Sequence, residues 1–182
     1  MFLNFPFTKG MTGMVQPTPR ERFIAVFELR SLTGLVPHFE LVFYHTMEAF
    51  GRVHPLHRDY CQWLQMEEKV RQLHRNDMAD LYIAFAERFE HSAIFVHSNP
   101  ATFDECNKLI EIIREKTGDR YFSIKHGEVT YGIPDGDTLV AFCRGLRQEP
   151  QRLKAEMESD IDGALREAER QKRLGGLDGF AL

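Results

Sequence analysis

Residues 93–105 read Ala93-Ile94-Phe95-Val96-His97-Ser98-Asn99-Pro100-Ala101-Thr102-Phe103-Asp104-Glu105, and their order decides the class of fold. Four apolar residues without a polar interruption mark a strand covered on both faces. The polar loop at residues 97–100 gives way to Thr102 with Glu105 three residues on, the capping pattern that starts a helix. Phe103, Cys106, Leu109, Ile110 and Ile113 follow at helical spacing, and Gly118 stops the helix. A strand feeding an amphipathic helix and then a second β-prone run, at residues 121–124, is the repeating unit of a parallel α/β sheet with right-handed crossovers.

Toward the amino end, Thr18-Pro19-Arg20-Glu21 opens a helix with Thr18 as cap, Pro19 in the first turn and Glu21 reaching back. Phe23, Ile24 and Phe27 share one face of it, and Gly34 is expected to end it. Residues 36–43 (VPHFELVF) read as a first strand opened by proline. Residues 59–74 and 77–89 are predicted as two helices, the second carrying Met78, Leu81, Tyr82, Phe85 and Phe89 at helical spacing. Toward the carboxyl end, Asp135-Gly136 breaks the chain and caps a helix at residues 138–146. Residues 150–173 form a longer helix with Leu153, Met157, Ile161, Leu165 and Ala168 on one side, and residues 177–182 read as a fourth strand.

The chain has 182 residues, of which 43% are hydrophobic and 27% charged, the balance of a soluble globular protein with a real core. That length suits one domain and falls short of the roughly 250 residues of a closed (β/α)8 barrel. Twenty-three basic against 27 acidic residues leave a net charge of −4, so no positive field exists to hold a nucleic-acid backbone. Cys61, Cys106 and Cys143 are odd in number, far apart and without a C-x-x-C spacing. They predict neither a disulfide framework nor a self-contained zinc site, but reduced, mostly core thiols in a cytoplasmic protein. Residues 1–16 are an N-terminal extension without the features of a signal peptide, and the apolar runs are too short to span a bilayer, so no membrane partner is expected.

Four stretches carry a resemblance: Thr18-Pro19-Arg20-Glu21-Arg22-Phe23, Val36-Pro37-His38-Phe39-Glu40, the run from Ala93 to His97, and above all His126-Gly127-Glu128-Val129-Thr130-Tyr131-Gly132-Ile133-Pro134-Asp135-Gly136, with Gly175-Gly176-Leu177-Asp178-Gly179 at the close. Through them the chain resembles the uroporphyrinogen decarboxylase family over roughly residues 17–182. The resemblance implies a TIM-barrel, (β/α)8-type α/β fold, here a partial barrel of the first four βα units in a domain at 17–182. It implies an active site at the carboxyl ends of the strands, and a chain truncated relative to the family. A half-barrel leaves strand edges and an inward face open, so self-association or a complementing half-barrel is expected.

Two chemistries divide that family: cofactor-free decarboxylation of uroporphyrinogen in porphyrin biosynthesis, and corrinoid-dependent methyl transfer with zinc. The decarboxylase pattern needs an arginine-rich loop after the first strand and an aspartate after the second, because a substrate with eight carboxylates needs cations and its pyrrole nitrogens need an anion. Here the corresponding stretches are Tyr44-His45-Thr46-Met47-Glu48, with Arg52 alone, and His97-Ser98-Asn99. The departures favour the methyltransferase branch, whose partner is a small-molecule substrate or a corrinoid protein. The zinc ligands of that branch lie in the later half of the barrel, so no metal ligand and no cofactor are assigned to this chain. The alternatives are a uroporphyrinogen decarboxylase and a non-catalytic half-barrel subunit.

His97 and His126 fall at the carboxyl ends of predicted strands, the rim where such folds bind ligands. His126 is assigned a catalytic role, against the plainer one of fixing a loop. His97 is a substrate contact, against the more ordinary role of a structural histidine. Asn99 and Thr130 are further substrate contacts. Alternation along the first strand puts His38, Glu40 and Val42 on one face and Phe39, Leu41 and Phe43 on the other; if the bulky face meets the helices, Glu40 points inward as a second catalytic residue. The same rule sends Phe122 and Ile124 outward and Ser123 and Lys125 inward, so that Glu40 and Lys125 are expected to pair, either structurally or as part of a substrate pocket.

Overall fold

The computed structural model describes residues 16–32, 34–41, 51, 63–98, 100–127 and 134–181. Helix α1 (Pro19–Phe27) begins as its sequence dictates. The Thr18 hydroxyl accepts from the Glu21 amide at 3.1 Å, and the Glu21 carboxylate accepts from the Thr18 amide at 2.7 Å. The helix stops well before Gly34, because Leu29 turns into the left-handed region (φ 53°) and the Arg30 amide bonds back to the Ala25 carbonyl. After a short 3₁₀ turn (Trp63–Gln65), α2 (Glu68–Arg88) is one helix where the sequence predicts two. Arg75-Asn76-Asp77 holds no glycine or proline, and polar residues alone do not break a helix whose apolar face continues through Met78.

Strand β1 (Ala93–Phe95), helix α3 (Phe103–Thr117) and strand β2 (Phe122–His126) follow. Helices α4 (Gly136–Gln148) and α5 (Pro150–Leu174) lead to strand β3 (Gly179–Ala181). The three strands form an α/β fold with a parallel sheet in the order β1-β2-β3. Its register sets Phe95 beside Ile124 and Lys125 beside Phe180. The predicted first strand is not one. Residues 36–41 run extended beside β1, and the backbone bond that joins them to it is from the Ser92 amide to the His38 carbonyl, at 2.8 Å. Pro37 has no amide to give to a ladder; Val42 and Phe43 lie outside the described residues.

One face of the sheet is covered by α2 and α3. Met78, Leu81, Tyr82 and Phe85 pack with Leu109, Ile110 and Ile113 over Ile94 and Val96, each burial contributing roughly 1.5 to 3 kcal/mol. On the other face α1 lays Phe23 against Phe39, Phe122 and Ile124, with Phe39 stacked on Phe95 at 6.2 Å. The expected alternation is therefore reversed. Phe39, Phe122 and Ile124 turn away from the crossover helices, because the aromatic face of α1 supplies them with better-matched neighbours. Lys125 turns toward α3 and α5.

Three smaller expectations also change. Asp135 occupies the N-cap position of α4 without a side-chain capping bond, and the Thr138 hydroxyl donates to its carbonyl at 2.7 Å instead. Of the predicted apolar stripe on α5 only Leu153 is buried, while Met157, Ile161 and Leu165 are exposed. Cys106 is a buried free thiol but Cys143 is an exposed one; Cys61 lies outside the described residues. No described helix is long and apolar enough to cross a membrane.

Two ionic clusters tie the elements together. Between α2 and α3, Arg75 meets Glu105 through two bonds, at 2.6 and 2.9 Å, and also reaches Glu68. At the amino ends of the strands, Asp178 accepts from Arg20 of α1 and Arg114 of α3, each at 2.6 Å, and from the Ser123 amide of β2 at 2.8 Å.

Candidate functional site

His126 is the last residue of β2, and His97 lies two residues beyond the end of β1. Because the two strands are parallel and adjacent, their carboxyl ends bring the two imidazoles side by side, with ring centroids 5.1 Å apart. Phe95 supports both rings from below, 4.7 Å from His97 and 4.6 Å from His126. A cavity of about 220 Å³ opens against them, lined by His97, Ser98, Cys106, Lys125, His126 and Glu167 together with the first turn of α3. Gly127 follows His126 because a Cβ there would lie 2.6 Å from the Phe180 side chain.

The Nε2 of His97 lies 3.3 Å from the Leu41 carbonyl, and a carbonyl only accepts, so this nitrogen carries a proton. Burial pushes the His97 pKa below the ordinary imidazole value; the bond to Leu41 pulls it up and His126 pushes it down again. A neutral imidazole at pH 7, beside a second one, can take a proton from a bound molecule while its neighbour donates a hydrogen bond. The Cys106 thiol is pushed up by burial, against the pull of Lys125 and a hydrogen bond with Ser98, and stays protonated at neutral pH.

Lys125 lines the cavity wall with its side chain 7% exposed, and its ammonium donates to Glu167 of α5 at 2.8 Å. The rings of Phe103 and Phe180 flank it at 4.7 and 5.5 Å, within cation–π range. Its partner is thus Glu167 and not Glu40. Glu40 is half-buried and acts electrostatically on His91, the residue two before β1. The structure brings together His97, His126 and Lys125, and does not bring Glu40 to them. Asn99 and Thr130 lie outside the described residues.

Comparison with known proteins finds no matching family, no matching curated protein and no matching solved structure.

One residue of the site went unread in the sequence. The Tyr82 hydroxyl, buried under α3, donates to the His97 carbonyl at 3.0 Å and accepts from the His97 amide at 2.9 Å. It holds the backbone from which the imidazole projects. The signal was available: a tyrosine at a core position of a helix brings a hydroxyl that must find a partner. Tyr82→Phe is expected to remove both of these bonds to the His97 backbone. The predicted cost is about 1 to 3 kcal/mol in urea unfolding, with a displaced His97 imidazole resonance. Unchanged stability together with an unmoved resonance would contradict the role.

Proposed function

We propose that this protein binds a small-molecule substrate at the carboxyl ends of β1 and β2 and handles a proton there through His97 and His126. The scaffold would be the first part of a (β/α)8 barrel of the uroporphyrinogen decarboxylase family, nearer its corrinoid-dependent methyltransferase branch. The observation that carries this reading is the histidine pair over the cavity at the carboxyl rim. In support, the extended segment 36–41, β1, β2 and β3 lie side by side in chain order, the succession that right-handed βα units generate.

The cavity favours the methyltransferase branch over the decarboxylase, since the cation that lines it, Lys125, is neutralised by Glu167. A substrate with many carboxylates calls for a surplus of cations. For a full-length relative, zinc and a corrinoid protein would supply the methyl chemistry. Among the described residues no group of three or more His, Cys, Asp or Glu side chains could hold a metal ion, so no step through zinc is assigned to them. A non-catalytic half-barrel subunit is the second reading. It is favoured by the cavity of about 420 Å³ on the α1 face, lined by Phe23, Phe27, Phe39, Phe122 and Ile124 beside β3.

The test is a titration of the His97 and His126 imidazole resonances, assigned through His97→Gln and His126→Gln, with methoxylated aromatics, methylamines and a porphyrinogen polycarboxylate. Joint movement of both signals with a methylated compound is the expected result. Movement with the polycarboxylate alone would transfer the assignment to the decarboxylase, and movement with none would remove the substrate site.

A further inference from the structure

Residues 36–41 occupy the place of a strand and are held there by other means. At one end the His38 ring sits between two carbonyl oxygens, with Nδ1 3.2 Å from Val36 O and Nε2 2.9 Å from Phe89 O at the end of α2. In the middle the Ser92 amide donates to the His38 carbonyl, and Phe39 stacks on Phe95. At the other end Leu41 accepts from His97 at the rim of the cavity.

Both partners of the His38 ring are acceptors, and a neutral imidazole has one N–H. The neutral form satisfies one carbonyl and turns a lone pair toward the other; the imidazolium donates to both. We propose that residues 36–41 form a strap that His38 fastens most firmly when its imidazole is doubly protonated, so that acidification tightens the strap against β1 and, through Leu41, against the rim of the site. The strap itself does not depend on what the cavity binds. Its link to function rests on the substrate-site reading above.

Among the described residues His91 stands edge-on to this ring at 5.3 Å, and Glu40 on the strap acts in turn on His91. His91 is held below the ordinary imidazole value chiefly by burial and then by His38, against the pull of Glu40. Burial and the neighbouring His38 both disfavour a charge on His91, so a doubly protonated His38 ring makes a second charge beside it less favourable. The direction follows from the two acceptors: only the doubly protonated ring donates to both carbonyls, so acidification strengthens the fastening and alkalinisation weakens it.

The Ser92 amide reports the fastening directly, because its acceptor is the His38 carbonyl. Hydrogen exchange of the full chain, corrected for the intrinsic rate, is expected to show about three- to tenfold more protection at pH 5.5 than at pH 7.5, the scale of one added charge-assisted bond. His38→Ala, an exposed position, is expected to abolish that difference. Equal protection at the two pH values would overturn the proposal, as would a difference that survives His38→Ala. Both readouts stand whether or not the imidazole titration above finds a substrate.

Discussion

Replacing Arg75 with Met is expected to cost about 3 to 5 kcal/mol, because it strands a carboxylate inside the α2–α3 interface. Arg75 is 4% exposed and Glu105 11% exposed in their side chains, so neither group can recover water without moving the helices apart. The Glu105 carboxyl is raised by burial, but the hydrogen bonds from Arg75 and Lys108 outweigh this and hold it below the ordinary carboxylate value of 4.5. A depressed folded-state value means that the pair stabilises the protein above the unfolded carboxylate's pKa and stops doing so as pH falls through the folded one. With Arg75 gone, only Lys108, whose side chain is 45% exposed, still offsets the burial of Glu105, so Arg75→Met should be most damaging at neutral pH and less damaging as pH falls and the carboxylate is protonated. Arg75→Met with Glu105→Met should recover much of the loss, since a buried pair replaced by apolar residues is often near neutral. Urea unfolding of the two single variants and the double one checks this. Additive losses would mean that the pair contributes nothing as a pair.

The second large effect is expected at Asp178, 10% exposed and bonded to two arginines and a backbone amide. Asp178→Ala removes the charge-assisted bonds to both arginines and leaves the Ser123 amide without its carboxylate acceptor. Arg20 and Arg114 are partly exposed and regain some hydration, which holds the predicted loss to about 3 kcal/mol. Asp178→Asn keeps one acceptor oxygen and should lose about half as much. Thermal or urea unfolding in which Asp178→Ala falls by less than 1 kcal/mol would show that the clamp is only decorative.

Local chemistry made much of the fold legible. Thr18 and Thr102 cap the helices they were expected to cap, and the apolar run at residues 93–96 contains β1. The parallel order follows from strand-helix alternation. What went astray depended on partners distant in sequence. Alternation correctly separated Phe122 and Ile124 from Lys125 on β2, but which set meets the crossover helices turned on the aromatic face of α1, and Phe23 lies roughly a hundred residues from Phe122. The first strand was over-read because β-propensity in VPHFELVF does not count backbone bonds, and Pro37 withholds one. Of the candidate site, His97 and His126 were legible from their place at strand ends, whereas Lys125 was reached through an alternation that the structure reverses. Glu40 was drawn in by the reversed alternation, and Tyr82 was passed over as ordinary core.

The Asp178 clamp also orders the events of folding. Arg75 and Glu105 are 30 residues apart in sequence, whereas Arg20 and Asp178 are 158 apart. Closing the longer loop costs about 1.5 kcal/mol more in chain entropy, and Asp178 has no partners until α1, α3 and β2 are already in place. The α2–α3 pair can therefore assemble early as a hub of short-range contacts, with the clamp as one of the last connections to close. The same connection is the natural first one to reopen. A transient break at Asp178 loosens α1, which then rests on the Arg20 amide bond to the Arg120 carbonyl and the packing of Phe23, while the α2–α3 core stays intact. The aromatic layer under α1 is thus held in part by a carboxylate at the far end of the strands from the candidate site.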